Sequence, residues 1–541
     1  MNFKKFFYFE LILLELSLEN YNSGDNWAVL ACGSTGYINY RYQADIFHVY
    51  HTLINRGFSK NHIILFAYDD IAYNEKNPFP GEVYNRPDGP NVYSGVTIDY
   101  SFNMVTPENY ISVLKGDSQN GKLKKVLNST KDDNIFLYFS DHGINGAMVF
   151  PGNKFLYADE LEETFIYMHN KNMYNNIIYY MESCYSGSIF EGINPELNIY
   201  SITAASPKEQ SMATYCFPDD NVKGVEMHTC LSNEFTSNWL DDTDSRIFLN
   251  NNNNDKNDMN MDENYSSREQ FAFIKNMTKN SHVQEYGNLN VGELPITMFQ
   301  SSNDYLKYND GNEKIKRDYI EEFDYDKIMK KLIEYNNDEK NEDNYENMDY
   351  NSFVKDENNN SNDIKKVKIF QNQKRNYNYI NFILDKNKLR KENKKDKIKI
   401  KKVEKHGLSP ITEKVKKKLI ETIPSKYVKL YYLQIEKDES LEKNKEFEKE
   451  IEETEKSKIL FYLLKTKLNI SEITEETSKK MDYRCLRFSI QLFKEMCSLN
   501  ERDLEFLSLF SDLCIRSNVN LDYIKNTIID VCKNKIKERN C

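Results

Sequence analysis

Ile135-Phe136-Leu137-Tyr138-Phe139-Ser140-Asp141-His142-Gly143 and Ile177-Ile178-Tyr179-Tyr180-Met181-Glu182-Ser183-Cys184-Tyr185-Ser186-Gly187 share one pattern. In each, a short apolar run rich in β-branched and aromatic residues ends in a polar turn closed by glycine. Such runs read as strands covered on both faces, as in a parallel sheet, because a half-exposed strand alternates apolar with polar residues. Working outward, the same texture recurs at 27–31, 63–67 and 199–204. Between the first two of these, Ala44, Phe47, His51 and Ile54 fall on one face at helical spacing, and Gly57 supplies a C-terminal cap. Thr106-Pro107 opens a second helix, and 159–168 reads as a third. Strands alternating with helices predict an α/β fold with a mostly parallel sheet.

The rest of the chain cannot all be packed core. Of 541 residues, about 35% are apolar on a scale where globular domains run roughly 45–50%. Beyond Trp239 an Asn run at 250–254 sits in a polar insertion, read here as 246–266, and order resumes from Arg268. The Asn-, Lys- and Glu-rich tract 303–425 has too few apolar residues to offset its ordering entropy and reads as a disordered linker. Helical texture returns over 427–480. In the last segment, 481–541, Leu486, Ile490 and Phe493 share one face, as do Leu507, Phe510 and Cys514, and then Leu521, Ile524 and Ile528.

A net charge of -12 argues against a general nucleic-acid binder, which needs a clustered Lys/Arg excess. No stretch reaches the apolar length of a membrane span, and collagen and coiled-coil-only classes also fail. The apolar run 6–16, interrupted by Glu10 and Glu15 and preceded by Lys4 and Lys5, has the layout of a signal peptide over 1–20, set against a plain disordered leader. Cys485, Cys497, Cys514 and Cys532 crowd the C-terminal segment, an arrangement suited to disulfides in an oxidising compartment. The eight histidines show no metal-ligand spacing, and neither a metal nor a cofactor is expected.

Chemistry belongs beyond the carboxyl ends of the strands of such a sheet. Those ends carry Gly33 to Arg41, Asp69-Asp70, Asp141-His142-Gly143, Glu182-Ser183-Cys184, and a loop with Ser206 and Ser211. A cysteine and a histidine on neighbouring ends, each near a glycine, are what a thiol nucleophile with an imidazole base requires. Gly143 would let an N–H approach an oxyanion, Asn39 would orient the imidazole, and Arg41 with Glu182 would form a charge-balanced pocket. Taken singly, each has a plainer reading: an inert buried thiol, a turn, a structural ion pair.

The stretches 33–45 (GSTGYINYRYQAD), 68–73 (YDDIAY), 77–81 (NPFPG), 138–143 (YFSDHG), 182–188 (ESCYSGS) and 281–288 (SHVQEYGN) resemble the legumain family of asparaginyl endopeptidases. The resemblance implies a caspase-like, mostly parallel sheet flanked by helices over 26–302, plus a C-terminal all-α, death-domain-like prodomain. It implies that Cys184 is the nucleophile, His142 the general base, Asn39 its support, Gly143 an oxyanion donor with the Cys184 amide, and Asp141 an aspartimide candidate. Arg41, Glu182, Ser211 and Asn233 would form the S1 pocket that takes the side chain before the scissile bond. Val428 to Leu433 looks like the start of the family's activation helix. For the prodomain the resemblance implies the pairs Cys485 with Cys514 and Cys497 with Cys532.

Two departures stand out. Where the family has His after the pocket arginine, this chain has Tyr42, and where it has an Asp, the alignment gives Asn233 beside Glu234. The expected activity is a secretory, lysosome- or vacuole-type endopeptidase cleaving after Asn and secondarily Asp, made as an acid-activated zymogen, with ligase activity when an amine outcompetes water. Its partners would be protein or peptide substrates and its own prodomain. The alternatives are the transamidase subunit that attaches GPI lipid anchors, whose relatives lack a cysteine-rich helical domain, and a non-catalytic binding protein.

Overall fold

A computed structural model of the chain describes residues 24–252, 265–302, 422–437, 440–470, 481–515 and 520–539, all within one compact unit. The expected signal peptide, most of the expected linker, and 253–264 of the expected insertion lie outside the described residues.

Strand β1 (Asn26–Cys32) leads into helix α1 (Tyr40–Asn55), strand β2 (Ile63–Phe66), helix α2 (Pro107–Leu114) and strand β3 (Asn134–Ser140). A small antiparallel sheet follows, β4 (Gly143–Ile144), β5 (Ala147–Phe150) and β6 (Lys154–Tyr157), then helix α3 (Ala158–Asn170). Next come β7 (Asn176–Glu182), β8 (Ile199–Thr203), β9 (Met212–Thr214), the hairpin β10 (Asn221–Val222) and β11 (Val225–Glu226), and β12 (Ser232–Asn233). Helices α4 (Glu234–Asn252) and α5 (Ser267–Met277) and strand β13 (Gln284–Gly287) complete this part.

The main sheet runs β13-β8-β7-β3-β1-β2, parallel throughout except for the antiparallel edge strand β13. It is the caspase-like arrangement that the resemblance implied. Both faces are covered, so the central strands are buried at every residue from Ile135 to Phe139 and from Ile177 to Met181. One face packs Leu30, Tyr138 and Tyr180 against Phe47, Trp239 and Phe271, and the other packs Ala31, Leu137 and Tyr179 against Tyr110 and Phe165. Each large apolar side chain fully buried in this way contributes roughly 1.5–3 kcal/mol.

Helix α1 departs from the amphipathic expectation. Every residue from Tyr40 to Leu53 is buried, including Arg41, Gln43 and Asp45, because α1 packs against the main sheet on one side and against β12 and α4 on the other. The polar residues of its first turns therefore face other protein groups rather than water.

The C-terminal chain begins with β14 (Ile423–Pro424), which pairs antiparallel with β9, so the last residues of the expected linker are an ordered strand. Helices α6 (Val428–Glu436), α7 (Leu441–Lys467), α8 (Tyr483–Cys497), α9 (Ser508–Cys514) and α10 (Leu521–Arg539) follow. Disulfides Cys485–Cys514 and Cys497–Cys532 tie α8 to α9 and α10. Cys216 and Cys230, unassigned in the sequence, form a third bond around the β10–β11 hairpin. The helical core is continuous with the small sheet: Ile144, Ala147 and Val149 join Leu486, Ile490 and Phe493 in one apolar cluster. Arg487 also holds Asp159 through both guanidinium nitrogens, at 2.7 and 2.6 Å.

Candidate active site on adjacent strand ends

Strand register sets the site. Ser140 on β3 pairs with Glu182 on β7, so His142 and Cys184 each lie two residues beyond the paired positions, on neighbouring parallel strands. The chain turns sharply after the thiol, with Tyr185 at a φ of 57°, a conformation that side-chain-bearing residues seldom adopt. Gly143 has a steric reason to be glycine, since a Cβ there would strike the Cys184 carbonyl oxygen and the Ser183 side chain. Its N–H and the Cys184 thiol border the same cavity as His142.

His142 is held at both nitrogens. Nε2 lies 3.0 Å from Asn39 Oδ1, and Nδ1 lies 3.3 Å from the Tyr42 hydroxyl. The Asn39 amide nitrogen donates to the Thr35 carbonyl at 3.1 Å, which turns its oxygen toward the ring. Cys184 makes no hydrogen bond to His142; its sulfur is 3.9 Å from the Ser211 hydroxyl. Burial pushes the thiol up, while hydrogen bonds from Ser211 and the Lys426 charge pull it back. Asp141, buried beneath Gly33 and bonded to Ser34, is raised by desolvation to about 7, with His142 and Ser34 acting the other way.

Behind the thiol, reached through Ser211 and Ser425, lies a buried polar cluster centred on Arg41. Its Nε donates to Asn233 Oδ1 at 3.1 Å, and its Nη2 donates to the Tyr42 hydroxyl at 2.7 Å. The expected Arg41–Glu182 charge pair is absent. Glu182 accepts instead from the Thr236 N–H and hydroxyl, both at 3.2 Å. Desolvation, with Asp45 adding to it, raises its carboxyl to about 8 against the hydrogen bonds of Ser211 and Thr236. Burial without a direct cation favours the protonated form of such a carboxyl. The pocket is thus one cation lined by neutral donors and acceptors rather than a balanced pair.

Asn233 and Glu234 turn to different partners. Asn233 accepts from Arg41 and donates its amide to Asp45 Oδ2 at 2.7 Å, whereas Glu234 accepts from the Lys279 N–H and the Asn280 amide. Asp45 also takes Ser232 and Asn85, and burial raises it to about 6. A carboxylate therefore stands one residue behind the position that the neutral Asn233 fills.

Three residues at this site carried no sequence signal. Ser425, just after β14, accepts from Arg41 through its carbonyl at 3.3 Å and faces the Ser211 hydroxyl at 3.4 Å. Lys426 beside it pairs with Glu505 at 2.6 Å. Glu501 lies 2.9 Å from His142 Nε2 and accepts from Asn39 at 3.0 Å. The last two contacts span several hundred residues or join distant segments, which no local pattern encodes.

A thiol and an imidazole at matched positions on adjacent parallel strands, with an arginine-centred pocket alongside, define a Cys-His site on a caspase-like sheet. Residues 26–302 match the Peptidase C13 family, and the chain belongs to that family. It is 39% identical over 289 residues to the hemoglobinase of Schistosoma japonicum, covering 53% of this chain and 63% of the relative. To the legumain of Mus musculus it is 39% identical over 282 residues, 52% of this chain and 60% of that one. To the legumain of Canavalia ensiformis it is 40% identical over 271 residues, 50% and 56%. The chain spans about three fifths of the length of these curated relatives.

Proposed function

We propose that the chain is a cysteine endopeptidase that cleaves after Asn, and more slowly after Asp, and that its C-terminal domain keeps it latent. The observation that carries this reading is the register-matched pair His142 and Cys184, with Cys184 linked through Ser211 and Ser425 to the Arg41 cluster. In the proposed reaction His142 Nδ1 accepts the Cys184 proton and the thiolate attacks the substrate carbonyl. The oxyanion is received by the Gly143 and Cys184 N–H groups, where each such donor is worth about 10²–10³ in rate. His142 then protonates the leaving amine. Water, or a second amine in the ligase variant, resolves the thioester. Asn39 keeps the hydrogen of the neutral ring on Nε2, leaving Nδ1 basic.

A side-chain carboxamide suits this pocket. Arg41 donates to its oxygen, and the Asn233 and Glu182 oxygens accept from its nitrogen; a longer Gln side chain would displace these contacts. Latency is supported by what fills the cleft: β14 is added to β9 as an extra strand, Ser425 sits on Arg41 and Ser211, and Glu501 sits on His142 and Asn39. Three disulfides among the described residues suit an oxidising, secretory-pathway setting. Among those residues no helix is long and apolar enough to cross a membrane.

Matched fluorogenic peptides with Asn, Asp or Gln before the scissile bond test the reading on full-length protein preincubated from acidic to neutral pH. The expected order is Asn, then Asp, with Gln uncleaved and with no cleavage by Cys184→Ala. Absence of cleavage at every pH, after loss of the C-terminal domain has been verified, overturns it.

A further inference from the structure

Tyr42 is completely buried between the pocket and the imidazole. The Arg41 guanidinium carbon stands 4.0 Å over the centre of its ring, and the ring meets His142 edge to face at 5.1 Å. Its hydroxyl is 2.7 Å from Arg41 Nη2 and 3.3 Å from His142 Nδ1. Arginine has only donors, so the tyrosine oxygen accepts from Nη2, and the tyrosine hydrogen is left for Nδ1. In the neutral ring with its hydrogen on Nε2, Nδ1 is the unprotonated nitrogen and can take that hydrogen. The other side of the ring agrees, because Asn39 Oδ1 at 3.0 Å requires a hydrogen on Nε2.

We propose that Tyr42 is a positioning residue that links the S1 pocket to the general base: its hydroxyl engages His142 Nδ1 and fixes the ring, and its oxygen is tied to Arg41. The inference rests on the endopeptidase reading. It gives the position that differs from the family a task in this chain. The groups facing Tyr42 and the imidazole it holds are Arg41 on its own helix, Asp141 and His142 after β3, Cys184 after β7, Ser425 in the cleft, and Glu501 of the helical domain on His142 Nε2. Burial, with the Cys184 and Asp141 charges adding to it, outweighs Arg41 and keeps the phenol protonated far above its ordinary range. A bond of 3.3 Å is at the weak end for O–H···N, so the hydroxyl yields readily when Nδ1 takes the Cys184 proton. A side chain seated on Arg41 pulls on the same hydroxyl, which couples pocket occupancy to the orientation of the base.

Tyr42→Phe keeps the stacked ring and deletes the bridge. Losing a donor to the neutral imidazole makes that imidazole more basic. Two readouts follow on acid-activated full-length protein: kcat and KM for the Asn peptide across pH, and the pH profile of Cys184 alkylation by iodoacetamide, which needs no pocket contact. The expected result is a fall of about tenfold in kcat with a smaller change in KM. The imidazole-dependent limb should move upward in both profiles. Tyr42→His restores a hydrogen-bonding ring and is expected to recover part of kcat. A higher KM with both pH profiles unmoved reduces Tyr42 to a pocket wall and overturns the inference while leaving the peptidase intact. A shifted alkylation profile in a protein whose wild type cleaves no Asn peptide keeps the bridge and removes the endopeptidase reading instead.

Discussion

Glu182 sits fully buried at the end of β7 with a carboxyl raised to about 8. A carboxyl whose folded value lies above its unfolded one binds a proton in the folded state that the unfolded chain releases. Stability then falls as pH rises through the window from about 4.5 to about 8, by at most about 1.4 kcal/mol per pH unit. Glu182→Gln keeps the shape and removes the titration. Its melting temperature should exceed that of the wild type at pH 8, and the gap should close by pH 4; equal pH slopes for the two proteins would show that Glu182 ionises freely. The placement of Cys184 and His142 at neighbouring strand ends was legible residue by residue, because each follows an unmistakable apolar run. What Glu182 does was not, since the partner of a buried carboxyl is chosen by a helix, α4, more than 50 positions away.

At the scale of elements, β14 is a strand of two residues laid along β9, and Ser425 follows it into the Arg41 pocket. A serine there offers no carboxamide, the side chain proposed for the pocket, and reaches Arg41 through its carbonyl alone. Ser425→Asn should turn this segment into a substrate. The full-length variant is expected to cut itself after residue 425, as read by gel and mass spectrometry, and adding Cys184→Ala should abolish the cut. An intact Ser425→Asn chain under acid conditions would mean that the strand crosses the cleft in a register that holds the peptide bond away from the thiol. Composition placed residues 423–425 in a flexible linker because two apolar residues cannot announce a strand; their order comes from the open edge of β9. Helix α1 shows the converse, where apolar spacing was readable but full burial followed from layers on both sides.

For the whole molecule, the helical domain and the sheet domain share one apolar cluster and meet again at the imidazole. Desolvation works to raise Glu501, yet its hydrogen bond to His142 and the charge that the imidazole carries when protonated, with Asn39 and Arg41, bring its carboxyl down to about 2. A depressed carboxyl adds stability above its ordinary value near 4.5, and that stability is lost as pH falls toward 2. Glu436, lowered by His228 and Lys443 against its own burial, follows the same sign. Asp220, raised by burial to about 6 beneath Tyr432, acts in the opposite sense and favours the docked state as pH falls through 6. Release of the helical domain should therefore begin only below about pH 4.5 in the wild type. Glu501→Gln should release at higher pH, with half-exposure of the side chain keeping the shift modest. Peptide cleavage after timed preincubation at each pH measures both midpoints, and a wild-type midpoint near 6 would assign the switch to other groups.

The sequence by itself determined the order of strands and helices, the residues at the strand ends and the four cysteines of the helical domain. Those features are written in local periodicity and short motifs, which act over a few residues. Only the tertiary structure decided which groups share the site: Tyr42 between Arg41 and His142, Asn233 rather than Glu234 beside the pocket, and Ser425 and Glu501 over the reactive pair. The physical reason is that hydrogen bonds and buried charges depend on a few ångströms between groups far apart in the chain, and those distances exist only once the sheet has closed its register and the helical domain has packed against it.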